Sequence, residues 1–326
     1  MYNGKKVLVT GGTGLIGREL VALLTRAGAI VRSSAFHDPV DPAPGVEYIK
    51  GDLQDREVCA RLTRGMQYVF HLASIKGSVG IGRKRAADFF VKPILMNTHM
   101  MEESRKAGVE AYLFTSSVCV YAPAPVFFED RAWDAPPHPA DAFAGWAKRM
   151  GELQAEAYKE QYGWAKIAIV RPVNTYGAYD NFDPRTALVI PALIARVLGG
   201  ENPLRVWGDG EAVRDFLHAR DAARGTMLAL EKSADGQPIN LGSGTGHSVK
   251  EIVAAVLEGT GMNPEVVWDA SKPAGEKFRV ADVARAREKL DFNPEIGLKQ
   301  GISETVKWYR DNSERLNSRI VRFSEA

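Results

Sequence analysis

The sequence predicts an α/β fold in which a parallel sheet is covered by helices on both faces. Runs of strand-like and helical spacing alternate through residues 1–170, and a glycine-rich turn directly follows the first strand. After residue 171 the alternation loosens, and Gly, Pro and Asn become frequent. We therefore predict a Rossmann-type doubly wound parallel sheet over residues 1–170, to which some later segments return. Residues 171–312 would form a smaller, interleaved C-terminal α/β domain, and residues 313–326 a charged tail.

Composition is that of an ordinary globular protein. Of the 326 residues, 45% are hydrophobic and 25% charged, and the formal net charge of +2 predicts no binding of nucleic acid or acidic lipid. The cysteines, Cys59 and Cys119, lie far apart, which excludes a disulfide framework and a cysteine-based metal site. A strand-like run begins within four residues of the N-terminus, and no apolar run reaches membrane-spanning length. We therefore expect a cytoplasmic protein without a signal peptide.

The first strand, turn and helix predict a dinucleotide site. Residues 5–10 read as a buried strand, and apolar residues from Leu15 to Leu24 have helical spacing. Glycines between them let the backbone turn tightly, approach a pyrophosphate, and pack helix against strand. The amides at the helix start then face the negative charge of the cofactor. The predicted cofactor contacts here are Gly11, Thr13, Gly14, Leu15, Ile16 and Gly17.

The end of the second strand, predicted over residues 29–35, bears on the choice of dinucleotide. NAD sites place a carboxylate near this point, where it bonds the adenosine ribose. Here the strand carries Arg32 and two serines, and Asp38 and Asp41 follow only in a proline loop. This basic, hydroxylic strand end favours NADP over NAD, with Arg32 as a cofactor contact. The alternative is that Arg32 is an ordinary strand residue with a solvated tip.

The next elements continue the alternation. Residues 51–53 follow a short third strand, a helix is predicted over residues 55–64, and a fourth buried strand over residues 67–73. His71 falls inside that strand, which favours a hydrogen-bonded core histidine over a catalytic one. The loop over residues 74–85 is glycine-rich and ends in three basic residues. It is either a solvated basic loop or a flexible lip that meets substrate phosphates.

Later elements complete the sheet and set the position of a cleft. The predicted elements are helices over residues 90–106, 141–162, 186–198 and 298–310, strands over residues 109–115 and 165–170, and a proline-rich surface segment over residues 122–139. Ligands of parallel sheets bind beyond the carboxyl ends of the strands. Residues 10–17, 72–73 and 116–119 all follow such ends, so we expect them to border one cleft.

Eight short motifs then follow one another in a fixed order. They are residues 10–17, 51–53, 71–73, 116–121, 145–148, 171–177, 206–210 and 213–218. This series resembles the extended short-chain dehydrogenase/reductase family of nucleotide-sugar epimerases and reductases, over nearly the whole chain. Residues 117–121, 176–182 and 189–193 are most similar to GDP-L-fucose synthase and its relatives.

The resemblance implies a serine–tyrosine–lysine catalytic set. Ser117 would bond the reacting sugar oxygen, and Lys148 would hold the nicotinamide ribose and depress the pKa of the tyrosine. It also implies cofactor contacts from Asp52, Leu53, Leu72, Ala73, Lys148 and Pro172. The implied contacts to a nucleoside-diphosphate sugar are Ser117, Asn174, Val189, Arg196, Trp207, Arg214 and Lys277. No metal ligand is implied.

Three features of the second half have an alternative interpretation. Trp207 either stacks on the nucleotide or packs structurally. Arg214 either pairs with the diphosphate or forms a salt bridge to Asp215 or Asp221. Residues 242–246 look like a second phosphate loop, but the corresponding segment of the family is a structural turn, and we interpret it so.

The tyrosine of the catalytic set is absent. A helix places tyrosine and lysine four residues apart on one face, and the residue four positions before Lys148 is Ala144. Phe143 is one position off and has no hydroxyl. A lost general acid–base typically costs about 10²- to 10⁴-fold in rate. Either the chain is an engineered knock-out of an active enzyme, which the intact neighbouring motifs favour, or it is a natural variant with other chemistry.

Cys119 is a second candidate for proton transfer. In the fucose-synthase-like group a cysteine at this position acts in epimerisation beside a ketone, with a second acid–base at a position that reads Leu188 here. Cys119 alone serves one face of one carbon, and a small thiol lining the cleft is an equal alternative. Double epimerisation is therefore disfavoured. A 4,6-dehydratase is disfavoured too, because that group carries an Asp-Glu pair where Val118 and Cys119 stand.

The sequence thus predicts an NAD(P)-dependent nucleotide-sugar epimerase or 4-ketoreductase acting at C4. One alternative is a 4-epimerase that retains tightly bound NAD. An alternative of another class is a catalytically inactive protein that binds nucleotide sugars or NADP. Relatives dimerise through their two long helices, which implies a homodimer with a four-helix bundle over residues 90–106 and 141–162.

Overall fold

The computed structural model describes residues 1–36, 39, 41–77, 79–272 and 276–323, without the side chains of Val79 and residues 315–323. Asp38, part of the stretch around Lys277, and the last three residues of the predicted tail lie outside the described residues. The predicted fold class is confirmed, because seven parallel strands form one sheet between two layers of helices. The predicted boundary at residue 170 and the predicted cytoplasmic location stay predictions.

The strands follow the predicted order in the first half. They are β1 Lys6–Thr10, β2 Ile30–Ala35, β3 Glu47–Lys50, β4 Tyr68–His71, β5 Ala111–Thr115, β6 Val126–Phe127, β7 Ile167–Pro172, β8 Asn174–Tyr176, β9 Leu204–Trp207, β10 Val213–His218, β11 Pro238–Leu241, β12 Gly246–Ser248, β13 Val266–Asp269 and β14 Phe278–Ala281. The large sheet has the order β11-β7-β5-β4-β1-β2-β3. Because β11 comes from the second half of the chain, that half returns to the large sheet.

Helices cover both faces of this sheet. They are α1 Leu15–Arg26, α2 Arg56–Thr63, α3 Val79–Lys84, α4 Ala86–Lys106, α5 Ala142–Tyr162, α6 Val189–Leu198, α7 Ala219–Lys232, α8 Val249–Thr260, α9 Ala284–Leu290 and α10 Leu298–Phe323. Alternate residues of β1 point to opposite faces. Val7 and Val9 join a core with α1 and α7, whereas Leu8 joins a core with α2, α4 and α5.

A third core holds the second half together. Strands β12, β10, β14 and β6 form a second sheet in that order, β8 pairs with β10, and β13 pairs with β9. Buried side chains of α6, α8 and α10 pack there against β9 and β10. This arrangement sets α6, β9 and β10 beyond the carboxyl ends of the large sheet.

Two predicted segments were wrong in detail. Helix α3 forms inside the stretch predicted as a loop over residues 74–85. Helix α10 continues to Phe323, although the predicted helix ended at residue 310 and residues 313–326 were predicted to form a tail. The chain has neither Gly nor Pro after Gly301, so nothing in the sequence breaks that helix. Within the described part of the chain, none of the helices has the length and apolarity needed to cross a bilayer.

Candidate active site

A cavity of about 2600 Å³ extends from the carboxyl ends of β1, β4 and β5 to α6, β9 and β10. It is lined by nearly all of the predicted site residues, which come from both halves of the chain. These are Gly11, Thr13, Gly14, Leu15, Ile16, Gly17, Asp52, Leu53, Leu72, Ala73, Ser117, Cys119, Lys148, Pro172, Asn174, Val189, Arg196, Trp207 and Arg214. Arg32 and Lys277 do not line it.

The glycine turn has the shape of a pyrophosphate cradle. A β-carbon on Gly17 would lie 2.2 Å from the carbonyl oxygen of Gly11, so no larger residue fits without moving the turn. Gly14 caps α1, and among the residues that the structure describes it has no side-chain cap hydrogen bond. Those amides therefore remain donors at the edge of the cavity. The turn fits a dinucleotide phosphate.

His71 supports this turn from the interior, as predicted. Its Nδ1 lies 2.8 Å from Oγ1 of Thr10, and its Nε2 lies 3.0 Å from Oδ1 of Asn97. The same Thr10 oxygen accepts bonds from the amides of Leu72 and Ala73, both 3.1 Å long. Burial, and then the Lys148 charge, lowers the pKa of His71 to about 3, so the ring is neutral. His71 is a structural residue that fixes the end of β4.

Arg32, predicted as a cofactor contact, does not line the cavity. Its guanidinium donates to the carboxylate of Glu47 (2.7 Å) and to the carbonyls of Leu62 (2.9 Å) and Arg64 (3.1 Å). Register between β2 and β3 pairs Arg32 with Glu47, which directs the side chain away from the cavity. The same register brings Lys50 beside Ala35, and both of these residues line the cavity.

Ser117 and Lys148 both line the cavity. Ser117 begins a 3₁₀ turn over Val118–Val120, and its hydroxyl accepts a bond from the amide of Cys119 (3.2 Å). The ammonium of Lys148 donates to the carbonyl oxygen of Thr115 (2.7 Å). Burial lowers the pKa of Lys148 to about 8. The ammonium therefore predominates at neutral pH but is close to losing its proton.

Ala144 lies one helical turn before Lys148 and lines the same cavity. Helix α5 packs tightly here, since a β-carbon on Gly145 would lie 2.4 Å from the carbonyl oxygen of Cys119. Phe143 is 52% exposed and makes an edge contact with Phe90, with ring centroids 6.1 Å apart. The side chain at position 144 therefore reaches the cavity without a proton-carrying group.

Cys119 keeps its proton at neutral pH. Burial raises the pKa of its thiol to about 11, against a smaller lowering by the bond to Ser117. Leu188, at the position expected to carry a second acid–base, also lines the cavity. An acid–base pair for epimerisation at a carbon beside a ketone is therefore incomplete at this position.

A buried polar network fixes α5 to the sheet. Arg171 donates two bonds to the carboxylate of Glu152 (2.9 and 2.6 Å) and one to the hydroxyl of Tyr121 (2.9 Å). Glu152 also accepts a bond of 2.5 Å from Ser116. Arg171 and Glu152 are 1% and 5% exposed. Because Glu152 lies one turn after Lys148, the network holds the lysine over the end of β5.

Two arginines on neighbouring strands face the cavity. Arg214 of β10 and Arg279 of β14 are register partners. The fork of Arg279 lies 3.3 Å from Oδ2 of Asp141. Burial, and then the charge of Arg279, holds the pKa of Arg214 below its usual range. Like charges side by side favour an anionic ligand.

Lys277, predicted as a substrate contact, does not line the cavity. Its side chain is exposed, and its carbonyl accepts a hydrogen bond from the amide of Val213 (2.8 Å). Strand β14 begins one residue later, and its residues Arg279 and Ala281 line the cavity. Among the side chains described, the carboxylates that were the alternative partners of Arg214 are bonded elsewhere. Asp215 accepts from Ser243, and Asp221 from Arg224.

The second glycine turn is structural, as expected. Asp215 accepts bonds from the amides of Ser243 (2.9 Å) and Gly244 (3.1 Å) and from the Ser243 hydroxyl (2.6 Å). The turn then leads through β12 to α8, which Ser248 caps together with Glu251. The amides that a phosphate would need are already occupied.

Sequence reasoning missed several residues that line the cavity. His138 comes from the proline-rich segment and lies 3.1 Å from the carboxylate of Glu276, and Asp141 directly precedes α5. Lys76, from the loop before α3, donates to the carboxylate of Asp180 (2.7 Å). The segments of His138 and Lys76 lack the periodicity that identifies a helix or strand, so only their charged side chains indicated a role in the site.

The family model described as "NAD dependent epimerase/dehydratase family" matches residues 7–242. The chain is 30% identical over 320 residues to a probable GDP-L-fucose synthase of Oryza sativa subsp. japonica, covering 95% of this chain and 93% of that one. It is similar to the solved structure of an epimerase from Methanothermobacter thermautotrophicus, with a TM-score of 0.85, 28% identity, and coverage of 97% and 95%. A UDP-glucose 4-epimerase from Thermotoga maritima, solved with UDP-glucose, matches with a TM-score of 0.82, 30% identity, and coverage of 94% and 99%.

Proposed function

Because the chain belongs to the NAD-dependent epimerase/dehydratase family, we propose that it is built to move hydride between a nicotinamide and C4 of a nucleoside-diphosphate sugar. The sugar is attached to GDP or to a similar nucleoside diphosphate. The observation that carries this proposal is the cavity itself. Ser117, Lys148, the glycine turn and Arg214 all line this one cavity. A cofactor on the turn and a diphosphate on Arg214 would bring nicotinamide and sugar together.

Each protein group has a defined task in this reaction. A nicotinamide, when bound, supplies or accepts the hydride. Ser117 hydrogen-bonds the oxygen on C4, and Lys148 holds the ribose hydroxyls with the N–H groups that it does not use on Thr115. Asn174 already donates to the backbone of Asp215 (3.0 Å) and has its carbonyl oxygen left for the ligand.

The proposed reaction also needs a group that transfers a proton at the sugar oxygen. Ala144 carries no acid–base, and Cys119 holds its proton because its pKa is about 11. A positioned acid–base contributes about 10²- to 10⁴-fold to such a step. We therefore propose that the chain as it stands turns over slowly. The same observation favours the second candidate, an inactive protein that binds nucleotide sugars or NADP.

For the cofactor we propose NADP. Ala35 stands at the strand end where NAD sites carry a carboxylate, and Lys50 lies beside it in register. Lys50 is exposed and lines the cavity, so its ammonium suits a 2′-phosphate. We therefore propose Lys50, in place of Arg32, as the contact of the 2′-phosphate.

We also propose a homodimer. Helices α4 and α5 pack against each other and leave Val91 and Leu153 exposed, at 48% and 46%. A second copy of this helix pair would cover both side chains in a four-helix bundle. Sedimentation equilibrium should give twice the chain mass, and Leu153→Asp should return a monomer. A monomeric unsubstituted chain contradicts the dimer without touching the proposed reaction.

Installing the absent phenol tests the proposed reaction. Ala144→Tyr should raise turnover of a GDP- or UDP-hexose, or of its 4-keto form, about 10²- to 10⁴-fold. NADPH and NADH are followed by absorbance and the sugars by mass spectrometry. Stoichiometric loss of NADPH indicates the reductase, and product without cofactor change indicates a 4-epimerase with tightly held NAD.

The matched control is Phe143→Tyr, which adds the same hydroxyl at a position 52% exposed and off the face of Lys148. It should leave turnover unchanged. If Ala144→Tyr binds both ligands but gains no turnover on any sugar nucleotide, the binding protein is the correct candidate. Tighter binding of NADH than of NADPH would contradict the role given to Lys50.

A further inference from the structure

Asp141 places a carboxylate at the start of α5, in the wall of the cavity. An aspartate at the N-cap of a helix usually accepts hydrogen bonds from the first amides of that helix. Among the residues that the structure describes, Asp141 forms no such cap bond, and its Oδ2 instead lies 3.3 Å from the fork of Arg279. Because Arg279 lines the cavity as well, the carboxylate is turned away from its own helix and toward the cavity.

Asp141 shares one face of α5 with Ala144 and Lys148. The three residues are spaced by three and four positions, which aligns their side chains in one row, and all three line the cavity. A long side chain on a helix covers the turn that precedes its own Cα. A tyrosine at position 144 would therefore extend over Asp141, and the methyl group of Ala144 leaves that space beside the carboxylate open to the cavity.

Asp141 also acts electrostatically on the turn that carries Ser117. Burial raises the pKa of the Cys119 thiol to about 11, the bond to Ser117 lowers it, and the charge of Asp141 raises it further. The amide of Cys119 in turn donates to the Ser117 hydroxyl (3.2 Å). The start of α5 packs on the same turn, since a β-carbon on Gly145 would lie 2.4 Å from the carbonyl oxygen of Cys119. Asp141 and Ser117 therefore border the same part of the cavity.

The neighbouring titratable side chains already have partners. His138 accepts an amide at Nδ1 (3.0 Å), and its Nε2 lies 3.1 Å from the carboxylate of Glu276. Lys76 donates to a buried aspartate (2.7 Å). Arg279 contacts only Oδ2 of Asp141, and none of the described residues donates to its Oδ1. Oδ1 is therefore available to accept a proton from a ligand in the cavity.

We propose that Asp141 is the acid–base of this chain and exchanges the proton of the sugar oxygen through one water, in the space beside the methyl group of Ala144. This inference rests on the proposed function, since it names the group that transfers the proton in that reaction. In the oxidative direction the hydride leaves C4 for the nicotinamide with its electron pair, while the O–H bond of the sugar breaks and the C=O bond forms. The released proton passes to the water, and the water gives a proton to Oδ1 of Asp141. Reduction runs the same steps in reverse, so the slow turnover of this chain depends on Asp141.

Asp141→Asn, measured in two backgrounds, tests the proposal. Asparagine keeps the shape of aspartate and its preference for the N-cap, but it takes up no proton. In the otherwise unsubstituted chain it should lower kcat about 10- to 100-fold. In the chain that carries Ala144→Tyr the phenol transfers the proton, so Asp141→Asn should lower kcat less than about threefold.

UDP-glucose, GDP-mannose and their 4-keto forms serve as substrates, with NADP and NAD. The cofactor is followed by absorbance, and the sugar products are separated by chromatography. The affinity for the sugar nucleotides, measured by calorimetry, should not fall in Asp141→Asn, because the substitution removes a negative charge from beside Arg279. A loss confined to kcat in one background would distinguish proton transfer from a structural role.

Asp134→Asn is the matched control, since Asp134 is an exposed aspartate of the preceding loop and does not line the cavity. It should leave kcat and affinity unchanged. An equal effect of Asp141→Asn in both backgrounds overturns the proposal, as does a loss of affinity that accounts for the lower turnover. Turnover in the Ala144→Tyr chain with none in the unsubstituted chain also overturns it. These three results leave the proposed reaction standing, whereas absence of turnover in both chains overturns the reaction and the acid–base together.

Discussion

Two glycine-rich turns follow parallel strands of the same sheet, yet they differ in what their amides bond. The turn after β1 leads into α1 without a side-chain cap, and its residues line the cavity. The amides of Ser243 and Gly244, in the turn after β11, donate to Asp215 on β10 of the second sheet. The chain thus supplies its own anion to the second turn. A glycine pattern makes a phosphate site only where the fold leaves the amides without an internal acceptor.

Removing the internal anion is the strongest test of this contrast. Asp215→Ala leaves two amides and a hydroxyl without their acceptor in the interior, where Asp215 is 1% exposed. We expect the free energy of unfolding to fall by about 3 kcal/mol, measured by urea denaturation. Asp311→Ala, at an exposed helical position, should change it little. Inorganic phosphate should stabilise the Asp215→Ala variant more than the unsubstituted chain. Equal stability of both variants would contradict the contrast.

A side chain at Gly17 should affect binding rather than folding alone. Gly17→Ala places a β-carbon 2.2 Å from a carbonyl of the cradle, so we expect about a 100-fold loss of NADPH affinity by fluorescence titration. Gly244→Ala in the second turn meets Val283 at 2.7 Å with φ of +70°. It should cost about 1–2 kcal/mol of stability and leave NADPH affinity within twofold. A larger loss of affinity in the second variant would reverse the assignment of the two turns.

The pH dependence of cofactor binding tests the role of the Lys148 ammonium. The pKa of Lys148 is about 8, so its ammonium is present at pH 6–7 and lost as the pH rises through 8. NADPH affinity should fall up to about 10-fold between pH 7 and 9. Lys148→Arg keeps its charge and should show a flat profile. A flat profile in the unsubstituted chain contradicts the role of the ammonium.

Lys148 also affects the free energy of unfolding, and here a rise in pH is favourable. Its folded pKa lies below its ordinary value of 10.5, so between about pH 8 and 10.5 the unfolded chain binds more protons. Its contribution therefore opposes folding below pH 8, and this opposition is relieved as the pH rises toward 10.5. Lys148→Met should remove that part of the stability profile.

Local sequence pattern was sufficient for the glycine turn and for the burial of His71. The turn depends on glycines between a strand and a helix, and the burial of His71 follows from its apolar neighbours in β4. Ser117 and Lys148 were identified by resemblance, and both line the cavity. The absence of a tyrosine at Ala144 followed from the same resemblance together with helical spacing.

The sequence did not allow us to predict the direction of side chains whose partners are distant in the chain. Arg32 turns away because register places it opposite Glu47, and Arg279 faces the cavity because its strand pairs with the strand of Arg214. Glu201 lies in a short loop, so nothing in its neighbours indicated that it would reach Arg196. Each of these depends on pairing between segments that periodicity does not connect.

The paired arginines also have a practical consequence. Arg214 and Arg279 repel each other within a partly buried wall, and a dianionic ligand between them relieves that repulsion. A ligand that binds only the folded state raises the melting temperature, and the rise grows with the logarithm of its concentration relative to its Kd. The melting temperature of the protein therefore reports ligand binding. A thermal-shift screen should rank sugar nucleotides by affinity without any assay of turnover. That ranking remains available even while position 144 holds an alanine.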